Sequence, residues 1–163
     1  MLLLCAVVSL GACNKEPAAP PAGAAVPNLR PKPVLPKPGS TAAEQTAGMV
    51  LAASQGKSPA PVDIKFDLAQ KPKVGQPLDV NLAMIAQVQA NPASVQISGN
   101  DGIAVAPGGQ FDIASAEAGE VYKHTFSVTP ETEGVLLLGV TVTLKHDDVT
   151  DTKAFTIPII AER

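Results

Sequence analysis

Three observations predict an all-β chain whose residues 58–163 fold as a single antiparallel sandwich of about seven strands. From Val62 onward, apolar residues alternate with polar ones at period two, the pattern of a strand with one face buried. Clusters of Gly, Pro, Asn and Asp interrupt this alternation at regular intervals, as they do in sandwiches and barrels. The segment is also long enough to bury a core without cross-links, and no cysteine follows Cys13.

Residues Leu2 to Ala12 form an uncharged apolar run. It is too short for a spanning helix, which takes ~20 apolar residues, but it has the length of a signal-peptide apolar region. No basic residue precedes it, a departure from the usual signal-peptide start. Leu10-Gly11-Ala12-Cys13 closes the run, and these four residues resemble the lipobox of bacterial lipoproteins. The resemblance implies a signal peptide over 1–12, cleavage before Cys13, a diacylglyceryl group on its sulfur and a further acyl chain on the new amine. A buried methylene contributes ~0.8 kcal/mol, so two or more chains hold a protein at a membrane where one is marginal. Cys5 would leave with the leader, and the domain would then fold on apolar burial alone. In such lipoproteins an Asp after the lipidated Cys signals inner-membrane retention; Asn14 instead points to the outer membrane of the envelope.

Residues 13–40 read as a tether. Eight of the sixteen prolines lie between 14 and 40, and proline supplies neither a free φ nor an N–H. Stretches such as Pro31-Lys32-Pro33 and Pro36-Lys37-Pro38 favour an extended spacer of ~3.1 Å per residue. Lys15, Arg30, Lys32 and Lys37 against Glu16 give the tether a net charge of +3. Residues 58–163 carry seven basic and thirteen acidic side chains, a net of −6. An acidic domain excludes the basic face that nucleic acid requires. A short helix is expected over 41–57, with Thr41 and Glu44 in capping-box spacing and Gly56 at its end.

The strands follow in order. Val62, Ile64, Phe66 and Leu68 form one, and Leu78, Val80, Leu82 and Met84 the next. Val95 and Ile97 lead into the Gly99-Asn100-Asp101-Gly102 turn, then come Ile103 and Val105, and Phe111 and Ile113 after Pro107-Gly108-Gly109. Tyr122, His124, Phe126 and Val128 share a face, as do Leu136 through Leu144 at every second residue. A polar loop over Lys145 to Asp151 is expected before Phe155, Ile157 and Ile159. Pro130-Glu131-Thr132-Glu133-Gly134-Val135-Leu136 resembles the E–F turn of immunoglobulin-like and fibronectin-type domains. The resemblance implies an immunoglobulin-like sandwich. It lacks that fold's inter-sheet cysteine pair, its Trp and its corner tyrosine, whose place Leu136 takes, and the fold by itself implies no activity.

Candidate sites are few. His124 is placed inward beside Tyr122 and Phe126, where a hydrogen-bonded histidine at the core margin is the expected role and a metal ligand or base the alternative. His146, Asp147, Asp148 and Asp151 cluster oxygen ligands of the kind Ca²⁺ takes, but without the spacing of a calcium loop, and a solvated turn on an exposed hairpin is the expected role. Val135, Leu137 and Ile160 break the alternation in Val135-Leu136-Leu137-Leu138 and Pro158-Ile159-Ile160-Ala161. Each of these three side chains needs cover from a partner, a second copy, the domain's own loops or the expected helix. No Gly-x-Ser-x-Gly, His-Glu-x-x-His or phosphate-cradling loop occurs, so neither catalysis nor a cofactor is expected. The sequence therefore points to a non-catalytic envelope lipoprotein, anchored through Cys13 and presenting its β domain to other envelope proteins. The alternative is a small-ligand or metal-binding module.

Overall fold

The computed structural model describes residues 40–56 and 61–163. The leader, Cys5, Cys13, Asn14 and the tether up to residue 39 lie outside the described residues. Two antiparallel sheets of five strands carry the fold. Their strands are β1 (Val50–Leu51), β2 (Ala53–Ser54), β3 (Val62–Leu68), β4 (Leu78–Ala86) and β5 (Ala93–Gly99), then β6 (Ile103–Val105), β7 (Gln110–Ile113), β8 (Val121–Pro130), β9 (Gly134–His146) and β10 (Val149–Ala161). The first sheet runs β1-β3-β4-β8-β6 and the second β2-β10-β9-β5-β7. Thus β3, β4 and β8 stand as strands A, B and E of an immunoglobulin-like sandwich, and β10, β9 and β5 as G, F and C. Residues 131–133 carry the chain from β8 in one sheet to β9 in the other, the place of an E–F connection.

Period-two alternation fills the space between the sheets. Val62, Ile64 and Phe66 from β3 and Leu78, Val80, Leu82 and Met84 from β4 face Leu138, Val140, Val142 and Leu144 from β9 and Phe155, Ile157 and Ile159 from β10. Sheet faces packed ~10 Å apart leave room for one interdigitated layer of such side chains.

Two expectations are corrected. The helix predicted over 41–57 is a single turn, α1 (Ala42–Gln45). Its capping box forms: Glu44 N–H donates to Thr41 Oγ1 (3.3 Å) and Thr41 N–H to Glu44 Oε2 (2.8 Å). Then the chain leaves the helix, Gly48 takes φ +84°, and Val50 to Ser54 become β1 and β2. The reason is non-local. Both sheets have an open edge there, and Ala52 N–H bonds Ile64 O in one sheet while Gln55 N–H bonds Ala154 O in the other. The polar loop over 145–151 is the expected hairpin but shorter: His146 pairs with Val149, leaving only Asp147 and Asp148 as the turn.

On the opposite edge the chain crosses in the same way, from β6 in the first sheet to β7 in the second. Gly99 is needed where this crossing begins, because a Cβ there would meet the Ile103 carbonyl oxygen. Gly102 takes φ +90° in the same turn, a conformation that disfavours side chains.

Candidate functional site

The two outer faces of the sandwich differ in chemistry. On the first sheet the outward positions include Asp63, Lys65 and Asp67 of β3, Asp79 of β4 and Lys123 of β8. Part of this face is covered. Thr46, buried at the end of α1, donates to Ala42 O (2.7 Å) and accepts from Lys65 Nζ (2.9 Å).

The second sheet presents a nearly uncharged surface. Along β9 its outward residues are Val135, Leu137, Gly139, Thr141, Thr143 and Lys145. Opposite them on β10 stand Ile160, Pro158, Thr156, Ala154, Thr152 and Thr150, in register one to one. Ser94, Gln96 and Ser98 of β5 complete the rows beyond Thr143, Thr141 and Gly139. Lys145, at the hairpin end, is the only charge among these outward positions of the three strands. Thr143 Oγ1 and Thr152 Oγ1 lie 3.3 Å apart across the strands, and Gln55 Nε2 donates to Thr156 Oγ1 (2.6 Å).

At the other end of this face four apolar side chains meet. Val135 is paired with Ile160 and Leu137 with Pro158. Val135 is 67% exposed, Leu137 44% and Ile160 62%. The single-turn helix does not reach them, since its Thr46 contacts the first sheet, and no loop among the described residues covers them. Beside them lies a shallow depression of about 510 Å³ lined by Gly99, Asn100, Asp101, Val135, Leu136 and Leu137. The exposed ion pair of Arg163 with Glu133 (2.7 Å) stands at the same end.

The other candidates are held in local structure. His124 stacks on Phe111 with ring centroids 4.2 Å apart and lies 6.4 Å from Phe126. Its Nε2–H donates to Gly108 O (2.9 Å), so the imidazole ties β8 to the β6–β7 crossing. His146 Nε2 meets Asp151 Oδ2 at 2.8 Å, whereas Asp147 and Asp148 sit exposed in the turn, Asp147 at φ +49°. Among the described residues no group of three or more His, Cys, Asp or Glu side chains is arranged to hold a metal ion.

Tyr122 holds its phenolic proton tightly. Burial pushes its pKa above the usual phenol value, the nearby Glu120 and Glu117 add to this, and the hydrogen bond from the Glu117 N–H (2.8 Å) opposes it. The ring packs against the core while its hydroxyl fastens the 115–117 loop.

The sequence pattern singles out Val135, Leu137 and Ile160 but not Pro158, nor the uncharged hydroxyl rows that continue their face. The Thr141-Val142-Thr143 alternation in β9 carries that signal. It becomes readable only once β5 and β10 are known to flank it.

No protein-family model matches the chain, and no curated protein does. Solved structures offer similar folds only. A FixG-related protein from Vibrio parahaemolyticus is 12% identical, with 64% of this chain and 100% of that chain covered and a TM-score of 0.44. The GAE domain of GGA2p from Saccharomyces cerevisiae is 11% identical, covering 68% and 96%, with a TM-score of 0.44. The yeast GGA1 GAE domain is 11% identical, covering 65% and 96%, with a TM-score of 0.46. The sandwich itself rests on its own strand pairings. Among the described residues no helix is long and apolar enough to cross a membrane.

Proposed function

We propose that this chain is a bacterial envelope lipoprotein, held at the outer membrane by lipid on Cys13, that works by protein contact rather than catalysis. The tether of residues 13–40 gives the domain reach from the anchor. The observation that carries the contact reading is the uncovered quartet of Val135, Leu137, Pro158 and Ile160 on a face almost without charge. Interface centres are depleted of charged residues in this way, and the polar surroundings form a rim. The lipobox resemblance supports the address.

Two measurements test the two halves. Membrane flotation of the wild-type chain and Cys13→Ser should show the wild type at the membrane and the variant released and unprocessed in size; equal flotation with equal processing removes the anchor. A photo-crosslinking residue placed at Leu137 in living cells should give protein adducts, and the same residue at Lys123 should not. Recovery of free monomer alone from position 137 removes the contact role.

A further inference from the structure

We infer that the occupant of the uncharged face is a second copy of this chain, packed face to face on β5, β9 and β10. This rests on the contact reading above and names its partner. Three physical facts favour self-pairing.

Charge comes first. The domain carries a net of −6 over residues 58–163, so two copies approaching on most sides bring like charges together. The face of β5, β9 and β10 is where that penalty is least, since its one charge, Lys145, lies at its end and Asp112 of the flanking β7 lies at its margin. A basic partner, by contrast, would need several acidic side chains, and this face offers only Asp112 of β7 at its margin, beside Ser94. Second, the polar residues on it are self-complementary. Thr and Ser hydroxyls both donate and accept, so Thr143 or Thr152 can bond its own kind across a two-fold axis, which neither Lys nor Asp can do. The Thr143–Thr152 approach within the sheet already shows hydroxyl meeting hydroxyl.

Third, the area fits. The apolar quartet exposes on the order of 350 Å², the size of an ordinary surface patch and too little for a stable dimer. Three strands at ~4.8 Å spacing, two running ~43 Å and β5 ~23 Å, offer ~520 Å² before side-chain relief. That is below the ~800 Å² per partner of a standard interface, but summed over two copies it clears the ~1,000 Å² a specific interface needs. A two-fold axis lying between the faces along the strand direction lays quartet on quartet and hydroxyl row on hydroxyl row, and leaves Lys145 at the rim, where its stem can carry the charge into water.

The test uses the full chain with Cys13→Ala, so that lipid drives no assembly, in sedimentation equilibrium across a concentration series. The expected result is a monomer–dimer equilibrium. Leu137→Lys should weaken it at least tenfold, while Lys123→Glu on the opposite face leaves it unchanged. Leu137 is partly exposed, so the variant should keep the wild-type thermal midpoint under dilute, monomeric conditions. A chain that stays monomeric at about 200 μM, weaker than most specific contacts, overturns the inference, as does a dimer indifferent to Leu137→Lys. In cells, the photo-crosslinking residue at 137 separates the two levels. An adduct of twice the chain mass supports self-pairing. An adduct with a different protein alone overturns self-pairing and leaves the contact role standing. No adduct at all removes both.

Discussion

Ile159 and Ile160 are adjacent on β10 and face opposite sides of the sheet, which makes them a direct test of the register on which everything else depends. Ile159 is 0% exposed in the core and Ile160 is 62% exposed on the outer face. Replacing either by Ala removes three carbons. At Ile159 the lost transfer free energy is about 2.4 kcal/mol at ~0.8 per methylene. The cavity left between well-packed sheets adds about 1 kcal/mol or more, giving about 3.5 kcal/mol in total. At Ile160 the same carbons are already mostly in water and solvent fills the space left. The cost there is therefore below about 0.9 kcal/mol. Urea unfolding followed by far-ultraviolet circular dichroism reads the difference. With a slope of about 1.5 kcal/mol/M, Ile159→Ala lowers the midpoint by about 2.3 M and Ile160→Ala by less than about 0.6 M. Both are measured at a concentration low enough to keep the chain monomeric, because association on the outer face would add its own stabilisation. Equal midpoint shifts, or the larger shift at Ile160, would refute the assignment of inner and outer faces.

Two further outcomes are expected. Tyr122 holds its proton more tightly in the folded chain than the ordinary phenol does. Its contribution to stability is therefore fully present below pH 10 and is lost as pH rises through the folded value. Tyr122→Phe should cost about 1 kcal/mol at neutral pH for the lost acceptor of the Glu117 N–H and should flatten the decline in thermal midpoint above pH 10; a decline as steep as the wild type's contradicts this. Pro158→Val restores an N–H on the open side of β10 and should raise slow, concentration-dependent light scattering without lowering the urea midpoint. Unchanged scattering would show that this edge needs no block.

Strands whose partners do not matter to their pattern are readable from the chain alone. Val62-Asp63-Ile64-Lys65-Phe66 alternates whichever strand lies beside it, and all three apolar residues are buried. The same holds for Leu78 to Met84 and for Leu136 to Leu144. Thr41 and Glu44 are readable too, since a capping box closes within four residues. The segment after them is not. Ala43, Ala47, Val50, Leu51 and Ser54 recur at helical spacing, yet the chain turns into strands and changes sheets at Ala52, and the carbonyls that decide this belong to Ile64 and Ala154, outside the segment. His124 is placed at the core margin by its own strand. Its stacking partner Phe111 and its acceptor Gly108 arrive from the β6–β7 crossing, which strand alternation does not encode. Val135, Leu137 and Ile160 announce themselves by breaking the alternation, while Pro158 and the hydroxyl rows acquire meaning only from the register of β9 against β10.

That register also bears on how the domain meets other molecules. A sandwich with open edges invites strand addition, and proteins restrain it with short edge strands, crossings and proline. Here both lateral edges are short strands joined across the sheets, β1 to β2 on one side and β6 to β7 on the other. Among the described residues one open stretch lies on β10 between Thr156, where β2 ends, and Glu162, whose N–H and C=O bond Pro72 O and Val74 N–H. Gln55 N–H bonds Ala154 O, so Ala154 turns its backbone away from β9, and by alternation Pro158 and Ile160 do the same. Pro158 has no N–H to offer a new strand. The fold thus blocks pairing at the edge at the same level where it leaves four apolar side chains uncovered on the face. Contact at this end must therefore be made by side chains stacking on the sheet and not by backbone extension of it. That geometry suits a second sheet laid flat against the first.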